Sequence, residues 1–374
     1  MAHAYTPGLK VTKATILRKE RRLPLPGEVL VKKGDRVKAE DIVARTELPG
    51  NVRPINVAGQ LSVPPGDLPN LMLKKVGDPV KKGEPIAQSK GIFGLFKSTV
   101  TSPVDGTIKS ISNVTGQVII EEPPIPVEVM AYIDGEVVEI IPNEGVIVET
   151  IATFVQGIFG IGGERIGHLK MAANSPDDIL TPDKITEEDR GKVLVGGAFV
   201  TSDALNRAVE VGAAGIVVGG IDDKNLREFL GYDIGVAITG SEQKGITLII
   251  TEGFGKISMA KRTFELLKSI EGKKVSINGA TQIRAGVIRP EIIAPGANPE
   301  DLKSDEEKLS AGLDIGTHVR VIREPYFGKI GKVTALPPEL QVIETEAKVR
   351  VLELEFEDGT RVLVPRANVE IIEE

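Results

Sequence analysis

Between residues 20 and 150, apolar positions alternate with polar ones in short runs that Gly, Pro and Asp interrupt. A period of two cut by such residues predicts short, half-buried strands joined by tight turns. One phrase occurs twice. Residues 27–44 read GEVLVKKGDRVKAEDIVA, and residues 76–87 read VGDPVKKGEPIA. Gly34 and Gly77 suit the positive φ of a tight turn, and the Asp after each can bond the backbone beyond it. Two further Gly-started pairs follow, residues 102–120 and 134–149, in which Val137, Glu139 and Ile141 alternate as a hairpin requires. Residues 49–73 interrupt this pattern and predict a turn and two short helices, with Asn56 and Asp67 as caps.

From residue 192 the pattern changes. Continuous apolar runs at 192–197, 212–220, 236–239, 247–251 and 275–278 predict buried strands. Helices are predicted at 201–211, from Asp222 and Asp223 to Leu230, and at 259–270 behind a Ser258 cap. Strands alternating with helices predict a parallel sheet covered on both faces. Residues 295–312 are rich in Pro, Gly and charge and read as a linker. After it, alternation returns at 348–356, with a hairpin signal at Asp358 and Gly359. The expected organisation is therefore a β-rich region over 1–172, an α/β domain over 173–294, the linker, and a small barrel over 313–374.

Composition limits the chemistry. Among the 374 residues there is no Cys, which removes disulfides, thiolate metal sites and cysteine nucleophiles. The three His, His3, His168 and His318, lie far apart, which argues against a histidine metal site. A net charge of −7 disfavours wholesale binding of nucleic acid, which feeds on Lys and Arg contacts to phosphate. The basic run from Arg18 to Arg22 is short, interrupted by Glu20, and reads as a solvated strand end. No apolar run approaches the ~20 residues of a membrane helix, and the first nine residues lack a signal-peptide core. The expectation is a cytoplasmic protein without a cofactor. Abundant Glu and Lys give it a thermophile-like composition.

The phrase VGDPVKKGEPIA followed by VTSPVDGTI at 100–108 resembles the biotinyl/lipoyl family of barrel-sandwich hybrids. Carriers of that family hold a modified Lys at a fixed spacing before the Pro that here is Pro103. Counting back by that spacing lands on Leu95, so the resemblance implies a non-carrier form, as in RnfC-like electron-transport subunits. Residues 316–333, GTHVRVIREPYFGKIGKV, resemble the KOW motif of NusG-like transcription factors and certain ribosomal proteins. That resemblance implies a five-stranded SH3-like barrel and partners in RNA, ribosomal proteins or the transcription machinery. The combination is similar to an uncharacterised bacterial family to which no activity attaches.

Two candidate sites follow. In a parallel sheet, ligands sit beyond the carboxyl ends of the strands, where helix N-termini point. Those ends would carry Gly196, Gly197, Gly219 and Gly220, with Thr201, Ser202, Asp222, Thr251 and Glu252 beside them. They form either a crevice for a small anion or nucleotide, or merely tight turns and helix caps. No P-loop, complete dinucleotide fingerprint or Ser/His/Asp set accompanies them. Arg284 and Arg289 could meet an anion or a neighbouring carboxylate.

The second candidate is the KOW-like surface, where Arg320, Arg323, Tyr326, Phe327, Lys329 and Lys332 are placed to touch a partner. Residues 314–374 carry eight Lys/Arg against twelve Asp/Glu, a balance that favours a protein partner over RNA. The sequence Gly-Ile-Phe-Gly recurs at 91–94 and 157–160, so Phe93 and Phe159 either fill barrel ends or offer apolar tips to a partner. The leading reading is a non-enzymatic adaptor working through protein contacts, with RNA polymerase or the ribosome as partner. Self-assembly into a homo-oligomer and a small-ligand sensor or enzyme at the crevice are the alternatives.

Overall fold

A computed structural model describes residues 9–90, 97–232, 244–281, 288–302, 313–323, 325–342 and 348–371. The chain is mostly β, built on one large mixed sheet, with smaller sheets inserted between its strands in sequence and another after it. The expected strand at 236–239 lies outside the described residues, as do Phe93 and Arg284.

Among the described residues the large sheet has eleven strands. Its parallel part joins Glu164–Met171, Lys192–Val195, Gly215–Ile221 and Thr247–Phe254 in that order. Alternation along these strands sends Leu194, Ile216, Val218, Leu248 and Ile250 to one face, against helices Ser202–Val211 and Asp223–Leu230. Val193, Val195, Val217 and Ile249 go to the other, against Phe264, Leu266 and Leu267 of helix Lys261–Ser269. Each face is thus a separate apolar layer, which is why these strands read as continuous apolar runs. The sheet is not parallel throughout. Lys274–Asn278, Glu291–Pro295 and Gly145–Gln156 continue it in antiparallel fashion. The last of these begins inside the first β-rich region, so the sheet draws strands from both sides of residue 172.

In the N-terminal region the two occurrences of the turn phrase fold alike, down to single hydrogen bonds. In each of four turns a carboxylate accepts the N–H of the Lys that opens it. Asp35 takes Lys32 at 2.8 Å, Asp41 takes Lys38 at 2.7 Å, Asp78 takes Lys75 at 2.7 Å and Glu84 takes Lys81 at 2.9 Å. Gly34 and Gly77 sit at φ of 92° and 93°, where a Cβ would be strained. They donate to the carbonyls of Val137 and Ile108, respectively, at 2.7 and 2.8 Å. Asp134 accepts the Ala39 N–H and Asp105 the Lys82 N–H, both at 2.7 Å. Strand pairing repeats as well: Arg36–Val37 with Gly135–Ile141 matches Pro79–Val80 with Gly106–Ile111. The chain therefore holds two copies of one β unit. The second lies wholly between strands Ile42–Leu48 and Ile125–Met130, which pair with each other in the first. Residues 49–73 contribute helix Val57–Leu61, capped by Asn56, and the 3-10 helix Pro65–Asn70, whose N-cap is Pro64 rather than Asp67.

The first copy shares strands with the large sheet, and ion pairs across that sheet add to the join. Lys19 reaches Glu291 at 2.6 Å, and Arg21 makes a two-point contact to Glu164 at 2.6 and 2.7 Å. Both cations lie over the Tyr132 ring, with Lys19 5.9 Å and Arg21 5.2 Å from its centroid. Tyr132 is buried and adopts φ of 69°. Burial, then the nearby Glu291 and Glu164 charges, push its hydroxyl well above the usual range, so it stays protonated and donates to Glu291 at 3.2 Å.

Asp189 is a buried charge. Burial pushes its carboxyl up, but Lys170 at 2.6 Å, the Thr186 N–H and Lys192 outweigh that and hold it below its ordinary 3.8. A carboxyl depressed in the folded state contributes stability that is full above its unfolded pKa and lost as pH falls through the folded one. Asp189→Asn is therefore expected to cost most at neutral pH, and the gap to wild type should close below about pH 4. Urea unfolding across that range checks it; a gap independent of pH would refute it.

Candidate functional site

The carboxyl ends of Lys192–Val195, Gly215–Ile221 and Thr247–Phe254 meet the starts of helices Ser202–Val211 and Asp223–Leu230, as a ligand crevice requires. The polar side chains gathered there are engaged with the chain itself. Thr201 accepts the Ala204 N–H at 3.2 Å, and Asp222 accepts both the Asn225 N–H and its side-chain amide at 2.7 Å. The Ser202 N–H goes to Asn225 at 2.7 Å and its hydroxyl to Glu228 at 2.8 Å. The Thr251 hydroxyl reaches the Val218 carbonyl at 3.3 Å. Thr201 and Asp222 thus satisfy orphan N–H groups of the helices they precede.

Three of the four glycines have backbone running against them, and Gly196 has a side chain. A Cβ on Gly219 would lie 2.2 Å from the Ile257 carbonyl, on Gly220 2.1 Å from that of Gly255, and on Gly197 2.5 Å from that of Asp178. Gly196 would meet the Val218 side chain at 2.6 Å. Two segments, 174–178 and 255–259, close over the strand ends. Met259 donates to the Pro176 carbonyl at 3.1 Å, Ile257 to Ala198 at 3.2 Å, and the Ser258 hydroxyl bonds Asp177. Ser258 is therefore not the cap of the following helix, which starts after Ala260. The Ala260 N–H goes to Glu252 Oε1 at 3.0 Å.

What remains of the crevice faces the C-terminal sheet. Arg320, on strand His318–Val321, donates to Glu252 at 2.5 Å and to Glu370, on strand Val369–Ile371, at 3.0 Å. Glu370 also accepts from Arg289 at 2.5 Å. All four side chains are at most 10% exposed. Beside them an aromatic row runs from Phe159 to Phe254 and on to Phe327, with centroids 5.2 and 6.0 Å apart. Backbones also meet, since a Cβ on Gly253 would lie 2.6 Å from the Gly328 carbonyl.

These contacts change the expected partner surface. Arg320, read as a partner contact, is buried and bound within the chain. Phe327 packs against the apolar layer of the large sheet, and Phe159 is a buried strand residue rather than an exposed tip. Arg289 meets the Glu370 carboxylate of the chain itself. Arg323, Lys329 and Lys332 are exposed, with Lys329 lying 5.9 Å from the Tyr326 ring and 5.1 Å from that of Phe356. Tyr326 also packs at 5.5 Å against Phe356, inside its own sheet.

The basic run on strand Val11–Arg22 is likewise spent internally. Arg18 pairs with Glu149 and Lys19 with Glu291, both at 2.6 Å, Arg21 with Glu164 at 2.6 Å, and Arg22 with Glu144 at 2.9 Å. An open cleft of about 580 Å³ lies between Arg36–Lys38, Asp134–Glu136 and Pro295–Gly296. There too Asp134 is taken, by Lys274 at 2.7 Å, and Glu149 by Arg18. Among the described residues no group of three or more His, Asp or Glu is placed to hold a metal ion. None of the described helices is long and apolar enough to cross a membrane. Neither a scan against protein-family models nor a search of curated proteins finds a match for this chain.

Proposed function

We propose that the protein is a non-enzymatic adaptor that works through protein–protein contacts, its N-terminal β units being of barrel-sandwich-hybrid type and its C-terminal sheet a KOW-like barrel. The observation that carries this is the filled crevice. The groups a small ligand or substrate would need at the strand ends are consumed by helix caps, by two loop segments and by the Arg320 network. Exposed Arg323, Lys329 and Lys332 leave the C-terminal sheet a basic, aromatic-backed surface for a partner in the transcription or translation machinery. The pairing of the basic run with glutamates supports a protein rather than a nucleic-acid partner. Tagged protein purified from its host after nuclease treatment should retain polymerase or ribosomal proteins. Lys329→Glu with Lys332→Glu should lose them by tenfold or more, about 1.4 kcal/mol, without loss of fold. Recovery of neither class from wild type would sink the reading.

A second reading, self-assembly, is favoured by one surface. Ile42 and Met130 are register partners on adjacent strands, yet are 37% and 48% exposed, and Leu30 nearby is 40% exposed. A strictly monomeric mass in solution removes it.

A further inference from the structure

We infer that the carboxyl ends of strands Gly215–Ile221 and Thr247–Phe254 form a docking site for a protein surface that presents an arginine beside an aromatic ring. In this chain the site is occupied by the C-terminal sheet, which holds to it without need of the covalent connection.

Three observations carry it. First, the C-terminal sheet has its own core. Val319, Val321, Val333, Leu352, Leu354 and Phe356 pack among themselves, and among the described residues no strand of that sheet pairs with a strand of the large one. A unit with its own core meets its neighbour across an interface rather than by sharing an interior. Second, the join has the chemistry of a binding hot spot. Arg320 inserts between Glu252 and Glu370, Phe327 extends the ring row at Phe254, and the Gly253 and Gly328 backbones touch. Buried Arg and aromatic anchors in a desolvated setting dominate protein–protein affinity. Third, Arg320 Nε is buried with no hydrogen-bond partner. Interiors rarely leave such a donor unmatched, whereas polar interfaces between separate bodies are less completely satisfied.

The test uses the full chain with a protease site placed within residues 303–312, folded first and then cut. The two pieces should co-migrate on gel filtration after cutting. In the same background Arg320→Ala, Glu252→Gln and Phe327→Ala should each weaken their association by about thirtyfold or more. Arg320→Lys should restore part of the loss, because an ammonium keeps the charge but not the two-point fork. Should Arg320→Ala fail to fold, Glu252→Gln and Phe327→Ala carry the comparison. Wild-type pieces that part on cutting would overturn the inference. So would variants whose pieces stay together as tightly as wild type.

Discussion

Replacing Glu370 by alanine is expected to destabilise the protein by about 3–5 kcal/mol. Glu370 stands between Arg320 and Arg289 and is 1% exposed. Its removal leaves Arg289 without the described carboxylate and Arg320 with only Glu252. A guanidinium cannot shed its proton in a protein, so neither cation can escape by neutralising itself. Arg320→Ala removes the cation that Glu252 and Glu370 share and should cost a similar amount. Urea unfolding of both variants checks this, and a loss below about 1 kcal/mol in either would show that the network does not hold this region together.

Gly219→Ala should cost about 1–3 kcal/mol, although it adds a single methyl group. Gly219 lies on a buried strand at unexceptional φ, so backbone strain is not the source. The cost arises because the new Cβ would sit 2.2 Å from the Ile257 carbonyl and 2.9 Å from the Met259 nitrogen. Those atoms are backbone, held by the Ala198 and Pro176 bonds, and cannot move aside as a flexible side chain could. The displaced segment leads directly to Ala260, whose N–H is bonded by Glu252. The variant should therefore also loosen the C-terminal sheet, seen as faster hydrogen exchange at Gly253 and Tyr326–Gly328. Unchanged stability would show that the Ile257 and Met259 backbone does not confine this position.

Local chemistry was readable in the sequence where a residue acts on its own neighbours. Gly34 and Gly77 mark turns because only positive φ serves there, and Asn56, Thr201 and Asp222 declare helix starts because their oxygens reach N–H groups three residues on. The heavily apolar runs at Lys192–Val195 and Gly215–Ile221 signal strands covered on both faces for the same local reason. What could not be read is what comes from afar. Gly219 and Gly220 look the same whether they admit a phosphate or a passing backbone, and only the fold of 255–259 decides. Arg320 sits on an alternating strand in a charged segment, and nothing near it announces that Glu252 is its partner. Ser258 has the composition of a cap, yet Asp177 claims its hydroxyl. The continuation of Gly145–Gln156 into the large sheet is equally silent, since a strand's sequence does not name its second neighbour.

The nesting of one β unit inside another has a consequence for the order in which the chain acquires structure. Chains fold from the N-terminus as they emerge from the ribosome. The inner copy has all its strands once Gln117–Glu121 is out, and it closes when Glu121 meets Val52. The outer copy must wait for Gly145–Gln156, which pairs with the first strand from Val11 to Arg22. Joining ends so far apart is slow in an open chain, because the closure entropy comes before any contact rewards it. Closure of the inner copy brings Leu48 close to Ile125, its register partner. By the time the outer strands are made, the long loop between them has already become a short one.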